Sequence, residues 1–505
     1  MRPSRKGASM RMWNERWVGR GALCAVGAAA LCAAAVFACG SDEPPACEGP
    51  GCVDVNVDTA TPDAPDGSSP APDGGLSDAS DARSPDADDG SSPCVAQAGT
   101  LDTTFGDAGM VWLKLPSPSA DAVFALDDGK VLVAGAENGG RSAILVRLLP
   151  DGTPDATFGA SGIVESFTGR FGTATKAIAL QADGKVLVAG SSRATGTSGR
   201  ITVARHLAGG ELDPSFGNAG VVIAEYPGRD AFANSLAVRA DGRIVVGGTS
   251  EDAQNPTGTS DFEVLRLNSD GTADATFGLS GRVTLDIRNT SDEGGAVALG
   301  PAGAITIAGR SKETAALSGR FDFAAARLKD DGSLDTTFGN AGKFISAFGA
   351  GSQLANDVVL TPAGAAILTG STNADFALIR LTTVGTLDPT FGTSGLATID
   401  FGGRGDASLK LVLQPDGRIL AVGTSGTGSQ PDTYGASVAR LLPNGALDPT
   451  FGSAGRTFVP PPASSRLSAT AVSLTRCSTL AAGTWEYDLD SALSKSAIGV
   501  LRMWR

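Results

Sequence analysis

The sequence predicts an all-β fold, a seven-bladed β-propeller of four-stranded blades over residues 94–505, and three observations predict it. First, the string Asp-x-[Thr/Ser]-Phe-Gly-x-x-Gly recurs seven times, with Phe at 105, 158, 216, 277, 338, 391 and 451. Second, each unit carries four short runs rich in β-branched residues and bounded by turn residues, and no stretch of residues 94–505 sustains a 3.6-residue apolar period. Third, one core stops growing beyond roughly 250–300 residues, yet the repeats continue without a change of composition. Many small cores between stacked sheets resolve that conflict, and a closed ring leaves almost no sheet edge exposed.

Ahead of the repeats stand two segments of different character. Residues 1–20 carry six basic residues against one acid (Glu15), and an uncharged Ala-rich run follows from Gly21 to Ala38. A basic stretch before a short apolar one is the pattern of an export signal, here 1–38. The run is 18 residues long, at the lower edge of what spans a bilayer, so a retained membrane anchor is the alternative. Val36-Phe37-Ala38-Cys39-Gly40-Ser41 resembles a bacterial lipobox, with Phe37 bulkier than usual. The resemblance implies cleavage before Cys39 and lipidation of its thiol. Either outcome gives an exported chain tethered to a bacterial membrane, with the outer membrane or cell surface expected.

Residues 39–93 read as an acidic tether. From Val53 to Pro93 there are ten Asp, one Arg and no aromatic residue, too little apolar area to offset the entropy of ordering. Those 41 residues would span roughly 35 Å as a coil and about 130 Å as polyproline II. Residues 40–93 hold −12 of the chain's net −14, and residues 94–505 about −7 against +5 in the leader. The folded part is therefore only mildly acidic, and nothing in it offers the basic face that a nucleic-acid partner requires.

Within each repeat the expected order is the Phe motif, a short alternating strand such as GMVWLKL (109–115), a loop, and then the two strands of an Asp-Gly hairpin. Good hairpins are AVFALDDGKVLVAG (122–135), AIALQADGKVLVAG (177–190) and LVLQPDGRILAVG (411–423). Asp-Gly between β-branched runs predicts a type I′ turn. A further strand ends near Arg147, Arg205, Arg266, Arg327, Arg380, Arg440 or Arg502. The segment after Phe105 is expected to complete the blade formed by 469–505.

The seven Asp (102, 155, 213, 274, 335, 388 and 448) and the seven Arg look at first like a ligand set. A residue present in every blade is spread around the ring, however, whereas a site needs unlike residues converging on one point. Each Arg is expected to pair with an Asp and with turn carbonyls in or beside its blade. Each Phe should plug the space between neighbouring blades. Gly135, Gly190, Gly248, Gly309, Gly370, Gly423 and Gly483 mark places where a side chain would not fit. No Asp-Gly loop has the spacing of a hard-cation loop, so no metal ligand and no cofactor is assigned.

This sevenfold pattern resembles the delta-60 repeat family of bacterial β-propellers and, more loosely, NHL-type blades. The resemblance covers about 400 residues of this sequence. It implies the fold and an exported bacterial setting, and brings no agreed activity with it.

Of the seven cysteines, Cys24 and Cys32 leave with a cleaved signal and Cys39 would carry lipid. An oxidising compartment permits disulfides among the rest. Cys47 and Cys52 close a short local loop in CEGPGC. Cys94 precedes the first strand and Cys477 sits in the hairpin turn of the last blade, so a Cys94–Cys477 bridge would staple the ring; unpaired or intermolecular thiols are the alternative.

Two readings of function follow. One is a non-enzymatic binding or scaffold module that takes a protein or glycan at loops such as EDAQNPTGTSD (251–261), KETAALSGR (312–320) and GTGSQPDTYG (426–435). The other is a propeller hydrolase or lyase with its site at the channel mouth. Against the second stand a lone His206 and the absence of G-x-S-x-G, H-E-x-x-H and Cys–His arrangements. Arg404-Gly405-Asp406 is an adhesion tripeptide that a Gly-rich loop produces by chance. Trp485, Tyr487 and Trp504 offer a glycan-stacking surface or, more simply, seam packing. No catalytic residue is assigned.

Overall fold

The computed structural model describes residues 52–54, 97–168, 173–193, 198–254, 259–314, 319–346, 348, 351–372, 374–402, 405–426, 434–461, 465–475, 477–487 and 495–505. The leader, Cys39, Cys47 and Cys94 lie outside these residues, as do the tips of the three long loops. Among the described residues no helix is long and apolar enough to cross a membrane.

Seven antiparallel sheets form the seven blades, at 119–168, 174–224, 229–285, 292–346, 353–399, 406–459, and 466–504 together with 110–114. In blades 1 to 6 the four strands are consecutive in sequence and in space. Blade 7 takes its fourth strand from the start of the folded region: Met110–Lys114 pairs antiparallel with Lys495–Trp504, Val111 opposite Val500. A three-residue strand, Cys52–Asp54, adds in parallel to the outer side of Met110–Lys114. It lies inside the segment expected to be a plain tether, where CVDVNV alternates β-branched residues and an edge strand offers unpaired backbone groups.

The first strands of successive blades touch one another in cyclic order, with Arg466–Leu474 of blade 7 returning to Ser119–Ala125 of blade 1. They therefore make the inner rim. The apolar side chains sort into seven clusters, one between each pair of adjacent blades. Phe105, for example, packs with Val131 and Val146 of blade 1 and with Leu480 and Val500 of blade 7. Each blade is thus buried on both faces, which is why its second and third strands read as unbroken apolar runs rather than alternating ones.

The hairpin turns differ from expectation. Gly129 donates its amide to the Leu126 carbonyl and Leu126 bonds back to Lys130, with Gly129 alone among the loop residues at positive φ (+82°). This is a three-residue loop, a type I turn closed by a left-handed glycine, not the two-residue type I′ turn. Asp128 fits this turn: it is not at positive φ, and its carboxylate accepts the Lys130 amide at 3.1 Å. Asp183, Asp241 and Asp416 repeat the arrangement.

Candidate functional site

In each of the seven repeats the Arg, Asp and Phe come together as one structural unit. Arg Nε meets Asp Oδ2 at 2.7–2.9 Å in every copy, from Arg147–Asp155 to Arg502–Asp102. Each guanidinium also lies over the motif Phe, 4.4–4.9 Å from its ring centre. Arg147, Arg205, Arg266, Arg327, Arg380 and Arg502 use a further nitrogen to bond a turn carbonyl of the next blade. The Asp completes its own loop by accepting the amide and hydroxyl of the Thr or Ser two residues on. Those bonds hold Asp155 below the usual carboxylate range and bring Asp213 down to about 2, with Arg205 and Lys185 adding to the shift.

The sequence reading missed a second cation here. The basic residue after Asp-Gly reaches the motif Asp in blades 1, 2, 3 and 6, as Lys130–Asp155 (3.3 Å), Lys185–Asp213 (3.5 Å), Arg243–Asp274 and Arg418–Asp448 (both 3.0 Å). Every polar partner in these units is structural, so the repeated charges are already committed.

At the inner rim the residues are unlike from blade to blade. Every first strand bulges at one residue: Asp121, Lys176, Asn234, Gly295, Asn356, Leu409 and Thr470. The second-strand glycine lies opposite the bulge, and there the sequence expectation holds: a Cβ on Gly135 would fall 1.8 Å from the Ser119 carbonyl oxygen. The bulged side chains reach across to the next blade. Lys176 Nζ meets Asp121 at 2.7 Å, Asn234 and Asn356 donate to the carbonyls of Gly294 and Ser408, and Thr470 donates to that of Ala120. Asp121 raises the Lys176 pKa, which favours the protonated amine in this ion pair. Asp357 of blade 5, whose pKa burial pushes up, accepts the Leu411 amide and faces Lys410 at 3.6 Å.

His206 is fully buried. Its Nδ1 bonds the Gly210 carbonyl at 2.7 Å, which fixes the proton on Nδ1 and leaves Nε2 to accept from Ser166 at 2.9 Å. Burial lowers its pKa, and it is a neutral core residue. Asp406 of the adhesion tripeptide is 2% exposed and accepts the Phe401 amide, so its carboxylate is turned inward, and Arg404 lies outside the described residues. Trp485 packs 4.6 Å from both Trp112 and Tyr487, tying the blade-7 hairpin to the strand from the start of the folded region; Trp504 takes no part in that stack.

Of the cysteine assignments, Cys39, Cys47 and Cys94 fall outside the described residues, and only the backbone of Cys52 is within them. Cys477 is disulfide-bonded.

Two features had no signal in any single motif. Glu263 is completely buried in the third strand of blade 3, accepts from Ser250 and Thr284, and burial pushes its pKa up to about 7. Two acidic triads, Asp261–Asp286–Asp292 and Asp375–Asp400–Asp406, each bring carboxylate oxygens within 4.8 Å of one another at a blade junction. Elsewhere, a cleft of 630 Å³ crosses the hairpin turns of blades 4 to 6, lined by Pro301, Leu360, Pro362, Leu413 and Pro415 with no ionisable group.

The match to a known family model agrees with this architecture. The model for the "Domain of unknown function (DUF5122) beta-propeller" matches six segments: 126–158, 181–216, 239–277, 303–338, 363–391 and 414–451. No curated protein sequence matches the chain. Among solved structures, a catalytically inactive virginiamycin B lyase from Staphylococcus aureus with quinupristin is 12% identical, with a TM-score of 0.45 over 78% of this chain and 99% of that one. A gluconolactonase from Xanthomonas campestris is 16% identical, with a TM-score of 0.34 over 66% and 94%. Likenesses this distant transfer neither activity nor ligand. The chain is a β-propeller repeat protein.

Proposed function

We propose that this chain is an exported lipoprotein, of delta-60 type, whose propeller acts as a non-enzymatic binding or scaffold module held to a bacterial membrane through Cys39. One observation carries the reading: the polar groups an enzyme would need are spent on joining blades. Arg147, Arg205, Arg266, Arg327, Arg380 and Arg502, the Lys176–Asp121 pair, Asn234, Asn356 and Thr470 all bond to a neighbouring blade, and His206 is neutral and buried. The apolar cleft over the hairpin turns suits a protein segment better than it suits proton transfer. The lipobox-like sequence and the acidic tether support the membrane-anchored part.

The competing reading, a hydrolase or lyase acting at the channel mouth, draws on the unlike charged residues Asp121, Lys176, Asp357 and Lys410 at the rim. A binding screen of the mature chain against glycans and envelope proteins separates the two, run beside an esterase, lactonase and lyase panel. Saturable binding without turnover supports the module, and turnover abolished in Lys176→Ala would replace it with the enzyme. Palmitate labelling of wild type and Cys39→Ser tests the anchor: equal labelling removes it.

A further inference from the structure

We propose that Asp375, Asp400 and Asp406 form a hard divalent-cation site, of the calcium class, at the junction of blades 5 and 6. The backbone assembles it. Asp375 opens the third strand of blade 5 (Asp375–Leu381), and Asp400 directly follows the fourth strand (Leu396–Ile399). Phe376 pairs with Ile399 in that ladder, so Asp375 and Asp400 sit side by side one step beyond it. The chain then crosses to blade 6, where Asp406 begins the first strand and bonds the Ala374 carbonyl through its amide. Three carboxylates from three chain segments thus converge, with oxygens within 4.8 Å of one another.

What separates this cluster from an ordinary acidic patch is the state of Asp406. It is 2% exposed. Its Oδ2 accepts the Phe401 amide at 2.8 Å and the Ser425 hydroxyl stands beside the carboxyl from the paired strand, while Oδ1 is buried with no hydrogen bond of ordinary geometry. Among the described residues no Lys or Arg pairs with any of the three acids, although ion pairs are plentiful in the same blades. A buried carboxylate oxygen beside two further carboxylates is costly unless a cation or a proton meets it. Consistent with that cost, Asp375 and Asp406 both have raised pKa values, from burial first and from neighbouring carboxylates next.

The spacing provides a second, independent argument. Asp261, Asp286 and Asp292 stand in the same places between blades 3 and 4, with the same separations of 25 and 6 residues. At the blade 2–3 junction those places hold Arg200, Glu225 and Ala231, and at the blade 4–5 junction Asp322, Ala347 and Gln353. The triad is therefore not a by-product of the repeat. In the blade 3–4 copy Arg229 bonds Asp261 and supplies a positive charge, so the blade 5–6 copy is the better ion site. Oxygen-only ligands, one of them on the solvent-exposed Asp400, leave room for water and fit calcium better than a metal that prefers nitrogen or sulfur.

The test is calorimetric titration of the EDTA-stripped, full mature chain with calcium chloride, with magnesium in parallel, and melting curves with and without calcium. The expected result is saturable calcium binding, tighter than magnesium, and a melting temperature that rises with calcium. Asp400→Asn, an exposed change that leaves the fold intact by circular dichroism, weakens calcium binding tenfold or more, whereas Asp286→Asn keeps the site. The proposal is overturned if the wild type shows neither binding heat nor a melting shift at millimolar calcium. It is equally overturned if Asp400→Asn titrates like the wild type.

Discussion

Arg502 and Asp102 form a 2.7 Å ion pair across 400 residues of chain. The same guanidinium donates to the Pro150 carbonyl in blade 1 and to the Thr104 hydroxyl, and it lies 4.6 Å from the Phe105 ring centre. One side chain therefore joins the last strand, the start of the folded region and the first blade. Asp102 is 2% exposed, and Arg502 is its one ionic partner among the described residues. Asp155, by contrast, has both Arg147 and Lys130.

That difference predicts unequal costs for the same substitution. Arg502→Ala leaves a buried carboxylate with no cation and is expected to cost about 3 kcal/mol or more. Arg147→Ala leaves Asp155 beside Lys130 and is expected to cost less. Urea unfolding of the two variants measures the difference, read as midpoint shifts at unchanged slope. Equal losses would show that the second cation adds nothing.

The repeat made most of this legible in the sequence. Sevenfold recurrence located the blades, and the invariance of Arg, Asp and Phe marked them as framework rather than site. The turn type was misjudged because Asp-Gly satisfies two loop lengths, and only the Leu126–Lys130 pairing with a single left-handed residue at Gly129 selects the longer one. The rim residues went unseen because a bulge displaces one residue, such as Asp121 or Lys176, out of the two-residue alternation. The acidic triads were hidden for another reason: Asp400 and Asp406 belong to different blades, and reading one repeat at a time separates them. Glu263 gave no sign of itself, because a lone Glu in a strand such as FEVLRL (262–267) is buried only once a neighbouring blade covers that face.

Glu263 should make stability depend on pH. Its ordinary pKa of 4.5 is raised to about 7 in the fold. Between those values the folded chain keeps a proton that the unfolded chain has released, so stability falls as pH rises across the window and levels off above it. The stability of the wild type relative to Glu263→Gln is expected to drop by about 3 kcal/mol from pH 4.5 to 7.5. Thermal melts of both proteins across that range check it, with the other titrating groups cancelling in the difference. A constant difference would mean that Glu263 titrates normally.

Two glycines separate backbone strain from lack of space. Gly364 sits in a turn at φ +85°, and a Cβ there would approach nothing closer than 3.8 Å. Gly364→Ala is expected to cost about 1 kcal/mol, from the left-handed conformation alone. At Gly370 a Cβ would lie 1.5 Å from the Leu354 carbonyl oxygen, backbone that cannot turn aside without undoing the bulge. Gly370→Ala is expected to cost several times more or to prevent folding. Parallel expression and unfolding of the two variants reads this directly, and similar costs would discard the close-approach account.

The partner of Cys477 follows from what surrounds it. Ser478 pairs with Trp504 across the hairpin, the Arg505 amide bonds the Cys477 carbonyl at 3.1 Å, and the Gly99 amide bonds the Trp504 carbonyl at 2.8 Å. Residue 99 is therefore fastened beside the turn that carries Cys477. Cys94 is five residues upstream of it, within roughly 17 Å of chain at full extension. Cys47 and Cys52 compete for the same thiol, but they bound the short segment CEGPGC and can satisfy one another. Non-reducing peptide mapping is expected to recover a Cys94–Cys477 crosslink, and Cys477→Ser to lower the melting temperature to that of the reduced wild type. The chain-entropy value for so long a loop is nominally about 5 kcal/mol. A smaller effect is expected here, because the blade 7 ladder and the Arg502–Asp102 pair already hold those segments together. Recovery of Cys477 linked to Cys47 or Cys52 would instead place the bridge between the ring and the tether.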